Sequence, residues 1–223
     1  MSSLYFITGT DTGAGKTVLT VLLAAYLRQK KIRVAALKPL CSGGRDDAQE
    51  IFAALDDLLS LDEINPWHFR AAIAPALAAQ REKKSVTQSE VTRHIRTVQK
   101  QFAVTLVEGA GGLMSPLGQN FDSRDLIVEL EAAPIIVAQN KLGAVNHLLL
   151  TLEALPKNLR AAAKVVLMSP PKADAASQSN MELFGQFFPP EKIFPLSWFG
   201  NNFAPDVVLK KPSVQRTLGK ILR

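Results

Sequence analysis

Six short apolar runs punctuate this chain with almost no polar alternation inside them. They are Leu4 to Ile7, Val34 to Leu37, Val104 to Val107, Pro134 to Ala138, Val165 to Met168 and Ile193 to Leu196. A strand with water on one face alternates, whereas a strand without alternation is buried on both faces. Helical patterns lie between the runs, at Thr17 to Lys30, Asp47 to Leu59 and Val145 to Leu155. Thr87-Gln88-Ser89-Glu90 reads as a capping box opening another helix that runs to about Gln101. Doubly buried strands alternating with helices imply an α/β protein: a three-layer α/β/α P-loop domain around a mostly parallel sheet. The 223 residues suit one domain over 1–223, with no internal repeat or linker. Asn65 to Gln80, rich in Ala and Pro, carries no element that its pattern assigns.

The first run feeds directly into Thr8-Gly9-Thr10-Asp11-Thr12-Gly13-Ala14-Gly15-Lys16-Thr17, and a helical pattern follows. A glycine-rich turn between a strand and a helix start aims backbone N–H groups at an anion. Lys16 adds a point charge for the β- and γ-phosphates, and the Thr17 hydroxyl suits Mg²⁺. The spacing departs from the common G-x-x-x-x-G-K-[ST] pattern, because Thr10 stands where that pattern has glycine and Gly9 lies one residue earlier. The segment is read as a nucleoside triphosphate site.

Three further segments lie just after apolar runs, where open α/β sheets bind their ligands. Val107-Glu108-Gly109-Ala110-Gly111-Gly112 offers a carboxylate for a divalent cation and small residues that let backbone approach phosphate oxygens. Lys38-Pro39-Leu40-Cys41-Ser42-Gly43-Gly44 brings a second lysine toward the same phosphates. Asp46 and Asp47 follow it; either could join Thr17 and Glu108 at a metal, and either also suits a helix start. Cys41 lies near enough to Lys38 for its thiol to be lowered, but reads as a packing residue. Asn140-Lys141-Leu142-Gly143-Ala144-Val145-Asn146-His147 places a lysine and a helix start after another strand, able to hold a carboxylate.

Composition excludes some classes of function. One cysteine rules out an intrachain disulfide or a cysteine-built metal centre, and His68, His94 and His147 lack ligand spacing. The net charge of +6 sits in scattered groups such as Arg28-Gln29-Lys30-Lys31, without interleaved aromatics, so neither nucleic acid nor a membrane is expected as partner. No signal-like segment precedes the first strand and no apolar run reaches ~18 residues, so a cytoplasmic location is expected.

Taken in order, these four segments resemble the dethiobiotin synthetase family over roughly residues 4 to 150. The resemblance implies an ATP- and Mg²⁺-dependent homodimeric ligase of biotin synthesis. Its substrates would be 7,8-diaminononanoate, CO₂ (from bicarbonate) and ATP. The implied route forms a carbamate, then a carbamic-phosphoric anhydride, then a ureido ring. Lys16 and Lys38 would act on the transferring phosphoryl group, and Thr17, Asp47 and Glu108 would arrange the metal. Gly13, Ala14, Gly15, Val18, Gly109, Ala110 and Gly111 would line the nucleotide, with Ser197, Trp198 and Phe199 flanking its base. Thr12, Ser42 and Lys141 would contact the diamine, and Gly143, Ala144, Val145 and Asn146 would receive its carboxylate across the dimer interface. Two departures stand out. Gly13 replaces the family's usual acid, and Met168-Ser169-Pro170-Pro171 replaces an Asn-Asp pair that reads adenine. A cobyrinic acid synthase-like ATP domain would need an added glutaminase, for which no residues remain. A partitioning-type switch ATPase would carry a second lysine in the loop, where this chain has Asp11 and Thr12.

Overall fold

The structure, a computed structural model, describes residues 2–199 and 203–223. All six apolar runs are strands of one sheet. In chain order the strands are β1 (Ser3–Gly9), β2 (Val34–Leu37), β3 (Leu40–Ser42), β4 (Trp67–Phe69), β5 (Val104–Glu108), β6 (Ala133–Gln139), β7 (Lys164–Met168) and β8 (Ile193–Leu196). The main sheet has the order β2-β5-β1-β6-β7-β8, and every neighbouring pair is parallel. β3 and β4 form a separate two-stranded parallel ribbon, pairing Cys41 with His68.

The helices are α1 (Lys16–Gln29), α2 (Asp46–Leu55), α3 (Leu61–Ile64), α4 (Pro75–Arg81), α5 (Gln88–Gln99), α6 (Ser123–Leu130), α7 (Ala144–Glu153), α8 (Lys157–Ala162), α9 (Ala175–Phe184), α10 (Pro205–Val208) and α11 (Pro212–Ile221). Right-handed crossovers place α1 on one face of the sheet and the helices of the β5-to-β8 connections on the other. Accordingly α1 packs with α2, α10 and α11, while α5 meets α6 and α7 meets α9. The result is the expected three layers. Phe6, Ile7, Leu106, Val107, Ile135, Ile136, Val165 and Val166 have no solvent exposure, which explains why their runs do not alternate.

Boundaries moved where local chemistry ends an element. The helix expected to reach Leu59 stops at Leu55, because Asp56 takes a left-handed backbone, φ 54°. The Thr87 capping box forms as read, with Thr87 accepting from the Glu90 N–H and Glu90 returning a bond to the Thr87 N–H. The unassigned Asn65 to Gln80 stretch contains β4 and most of α4. No helix among the described residues is long and apolar enough to cross a membrane.

The sheet connections reverse direction between β1 and β5: the chain leaves β1 toward β2 on one side and leaves β5 toward β6 on the other. The crevice beyond the carboxyl ends of these strands is where such sheets bind ligands. Strand register fixes what meets there. Ile7 lies beside Glu108 and Leu37 beside Val107, so the next residue after Leu37, Lys38, is carried level with Glu108.

Candidate functional site

The loop after β1 has a backbone shaped to receive an anion. Its positive φ values fall at Gly13 (70°) and Gly15 (97°), and not at Thr10. A residue with a Cβ is therefore tolerated at position 10, where the Thr10 N–H donates to the Val137 carbonyl at 3.0 Å. Gly15 is required twice over: its backbone is left-handed, and a Cβ there would lie 2.9 Å from the Met168 side chain. No side chain caps α1, so the N–H groups of its first turn face the crevice, with the dipole of a 14-residue helix behind them.

Beside this loop lies a buried charge network. Lys38 Nζ donates to Glu108 Oε1 at 2.6 Å and to the Gly109 carbonyl at 3.1 Å, and pairs with Asp47 Oδ2 at 2.9 Å. Thr17 Oγ1 donates to the same Glu108 Oε1 at 2.8 Å. Lys38 is 3 % exposed and Glu108 1 %. Burial alone would lower the Lys38 ammonium, but Glu108 and Asp47 overcome it and hold the group charged, above the ordinary lysine value. Burial pushes the Asp47 carboxyl up, and Lys38 and Thr17 more than reverse this, leaving it below the ordinary value. Lys16, 6 % exposed, donates to the Asp11 carbonyl at 3.0 Å. Burial and then repulsion from Lys38 lower its ammonium to about 8.

Lys16, Thr17, Lys38 and Asp47 line a cleft of about 790 Å³ with Thr12, Ser42, Ala110, Gly111 and Ser115, and Glu108 is buried behind Lys38 and Thr17. A second cavity of about 270 Å³ adjoins Gly13, Ala14, Gly15 and Val18, walled by Met168 to Pro171 and Ser197 to Phe199. The candidate residues thus fall into three places. Lys16, Lys38, Asp47, Thr12, Thr17 and Ser42 share the cleft, with Glu108 buried beneath it. Ser197, Trp198 and Phe199 share the apolar cavity. Lys141 borders that cavity and a small hollow with Thr10, Thr12 and His147. Ala144 also lines that hollow, whereas Gly143, Val145 and Asn146 line none of these spaces in their own chain; Gly143 immediately precedes α7 with φ 85°, and Asn146 is exposed.

The structure also sorts alternatives. The residue preceding α2 is Arg45, with no side-chain cap, so Asp46 and Asp47 sit in the first turn and Asp47 is the one that reaches Lys38. Burial pushes the Cys41 thiol up to about 11 despite Lys38, so it is a packing group. Sequence patterns did not single out Gln139, whose Nε2 donates to the Gly13 carbonyl at 2.8 Å, or Ser115, whose hydroxyl accepts from the Gly112 N–H at 2.8 Å. Gln139 could have been suspected from its place at the end of β6, level with the P-loop.

A family model described as an AAA domain matches residues 3–198. The ATP-dependent dethiobiotin synthetase BioD of Bacillus velezensis is 40 % identical over 154 residues, spanning 67 % of this chain and 66 % of that one. The BioD of Anaeromyxobacter sp. (strain K) is 35 % identical over 222 residues, 97 % of this chain and 96 % of its own. The chain belongs to the ATP-dependent dethiobiotin synthetase family. Among solved structures, pNOB8 ParA bound to nonspecific DNA superposes with a TM-score of 0.61 over 100 % of this chain and 98 % of that one, at 12 % identity. The MinC:MinD cell division protein complex of Aquifex aeolicus gives 0.61 over 100 % and 95 %, at 14 % identity. At such identities the likeness shows the fold that the dethiobiotin synthetase family shares with those ATPases, and no more.

Proposed function

We infer that the protein is a dethiobiotin-forming ligase, closing the ureido ring of dethiobiotin from 7,8-diaminononanoate and CO₂ at the expense of ATP. The observation that carries this reading is the buried cation Lys38, held between Glu108 and Asp47 beside the P-loop. One substrate amine adds to CO₂ and loses a proton, giving a carbamate. A carbamate oxygen attacks the γ-phosphorus and ADP leaves. The second amine then attacks the carbamoyl carbon, the C–O bond to phosphate breaks, and the ring closes. No protein nucleophile is needed. The chain's task is positioning and charge stabilisation.

Lys16 and the N–H groups from Gly13 to Thr17 would hold the β- and γ-phosphates. Lys38 would sit between the carbamate and the γ-phosphoryl group, its charge secured by its two carboxylate partners. Ser42 and Thr12, which line the cleft, would orient the diamine. The apolar cavity would take the nucleobase. A second copy of the chain would bring the start of its α7 to the substrate carboxylate; the 85 % and 62 % exposure of Leu142 and Leu150 supports such a dimer.

The residues present fit Mg²⁺. The available donors, Thr17 Oγ1, Asp47 and Glu108, are all hard oxygens, and Glu108 Oε2 is buried without a hydrogen-bond partner. When bound, the ion would neutralise charge on the β- and γ-phosphate oxygens.

The deciding measurement is phosphate release with Mg²⁺, bicarbonate and nucleotide, with and without the diamine. Diamine-dependent release with dethiobiotin as product is expected. No diamine-dependent release with ATP, GTP or CTP would sink the reading.

A further inference from the structure

Lys38 is held at both ends, and the second hold uses residues outside the cleft. At its tip, Nζ pairs with Asp47 in the first turn of α2. At its backbone, the Asn65 side-chain amide donates to the Lys38 carbonyl at 2.7 Å, and the Lys38 N–H donates to the Ile64 carbonyl at 3.0 Å. Asn65 has no solvent exposure. Its amide oxygen accepts from Arg45 Nε at 3.1 Å, and Arg45 Nη2 donates to the Leu61 and Asn65 carbonyls at 2.9 and 3.0 Å. Arg45 immediately precedes α2, two residues before Asp47. The contacts therefore close a ring: Lys38 tip, Asp47, Arg45, Asn65, Lys38 backbone.

The ring compensates for a weak connection. Between Ser42 and Arg45 the chain has only Gly43 and Gly44, with φ of 81° and 135°. Two such glycines leave the approach of α2 poorly fixed by the chain itself. The rigid guanidinium fork supplies what they lack, tying the start of α2 to the segment that carries the Lys38 carbonyl. Neither Arg45 nor Asn65 lines the cleft, so neither touches substrate.

We propose that Arg45 and Asn65 are positioning residues that set the distance between Lys38 and Asp47 for phosphoryl transfer, acting through the fork to Asn65 and the backbone. The inference rests on the proposed reaction for its kinetic readout. A second readout, the rate at which Lys38 is modified by an amine reagent and mapped by peptide mass spectrometry, needs no turnover and keeps the two apart.

The experiment compares Arg45→Gln, the milder Arg45→Lys, Asn65→Ala and Asp62→Ala in the full chain, each checked by thermal melting. Asp62 pairs with Arg45 at 2.9 Å but is 83 % exposed and outside the ring. For Arg45→Gln and Asn65→Ala we expect kcat to fall by about 10- to 100-fold, the scale of a small misplacement, with the KM for ATP within about threefold. Lys38 modification should quicken in both. Arg45→Lys should fall between these variants and wild type, and Asp62→Ala should match wild type. Wild-type kcat and unchanged Lys38 modification in folded Arg45→Gln or Arg45→Lys would overturn the proposal. So would an Asp62→Ala defect equal to that of Arg45→Gln. Should the wild type show no diamine-dependent turnover, the modification rates alone still decide for or against the ring.

Discussion

The two ends of the proposed nucleotide site are built on opposite plans. At the phosphate end, Lys38, Glu108, Asp47 and Thr17 form one continuous network of charges and charge-assisted hydrogen bonds. At the other end, Val18, Met168, Pro170, Pro171, Trp198 and Phe199 surround a largely apolar cavity, bordered by Lys141, whose side-chain amide nitrogens already donate elsewhere. Gln139 donates to Gly13; Asn140 donates to the Ser177 carbonyl and accepts from Asn180. The prolines have no N–H, and the Ser169 N–H is bonded to Leu196. The Ser169 and Ser197 hydroxyls can donate or accept, so they do not tell an amino group from a carbonyl. One end thus offers charge, while the other, which we propose takes the nucleobase, offers mostly apolar walls with few groups fixed to read a ring.

The largest effect should come from breaking the charged end. Lys38→Met removes the cation and leaves Glu108 and Asp47 without their shared partner. Loss of one such stabilising donor costs about 10²- to 10³-fold in turnover. Lys16→Ala should cost at least ~10²-fold on the same grounds. Diamine-dependent phosphate release measures both. Near-normal turnover in Lys38→Met would remove the ordered network from the mechanism and leave the P-loop alone as the phosphate grip.

Next in size is the base end, tested with a panel of ATP, GTP, CTP and UTP. A site that hydrogen-bonds its substrate rejects an unmatched analogue by about 10⁴- to 10⁵-fold, whereas an apolar pocket discriminates by only about 10- to 200-fold. The values of kcat/KM should therefore lie within about 10²-fold across the panel. Preference for ATP above about 10⁴-fold would mean that the base is read by groups other than the cavity walls described above, and the contrast between the two ends would fail.

The charged end was the more legible in sequence, for a physical reason. Lys38 and Glu108 each follow an apolar run buried on both faces, and parallel register carries them to one level. Lys16 and Thr17 open α1 after the glycine-rich turn that leaves the neighbouring strand β1, a motif readable by itself. Asn65 and Arg45 gave no such signal, because they lie near three-residue strands and a four-residue helix, too short for any periodicity. Their contacts with Lys38 and its surroundings join residues 20 and 27 positions apart. The second cavity is assembled from four separate segments; the glycine-rich turn was legible from its motif, Met168 to Pro171 and Ser197 to Phe199 were marked only through family resemblance, and Gln139 was not marked at all. The α6 start was missed although Asp122 and Asp125 form a capping box there, since two aspartates resemble a turn as much as a helix start.

A smaller effect separates the two lysines by pH. Lys38 is held above the ordinary lysine value and stays charged through the working range, while Lys16 titrates at about 8. A triphosphate favours charged Lys16. Below about pH 8 the ammonium is already protonated, so nucleotide affinity should be flat there. Above it, binding must take up a proton, and the dissociation constant should rise by up to about tenfold per pH unit. Calorimetry in buffers of different ionisation enthalpy would detect that proton directly. Lys16→Arg, which stays charged, should abolish the slope. A flat profile to pH 9.5 in wild type would show that Lys16 keeps its proton without nucleotide, and would make the two lysines equivalent.

The smallest effect tests a side chain that joins the two ends. Gln139 lines the base cavity and donates to the Gly13 carbonyl in the P-loop. It is exposed, so its hydrogen bond should contribute about 0.5–1.5 kcal/mol. Gln139→Ala should raise the KM for nucleotide by about two- to tenfold with kcat unchanged, as expected for an interaction made equally in ground and transition states. The KM should rise by the same factor for every nucleotide in the panel if Gln139 acts on the loop rather than on the base. Gln139→Glu sharpens the point, because a carboxylate against the Gly13 carbonyl repels where the amide attracts, and should do worse than alanine. A base-dependent response would instead make Gln139 a reader of the ring, and the two ends would share a recognition element.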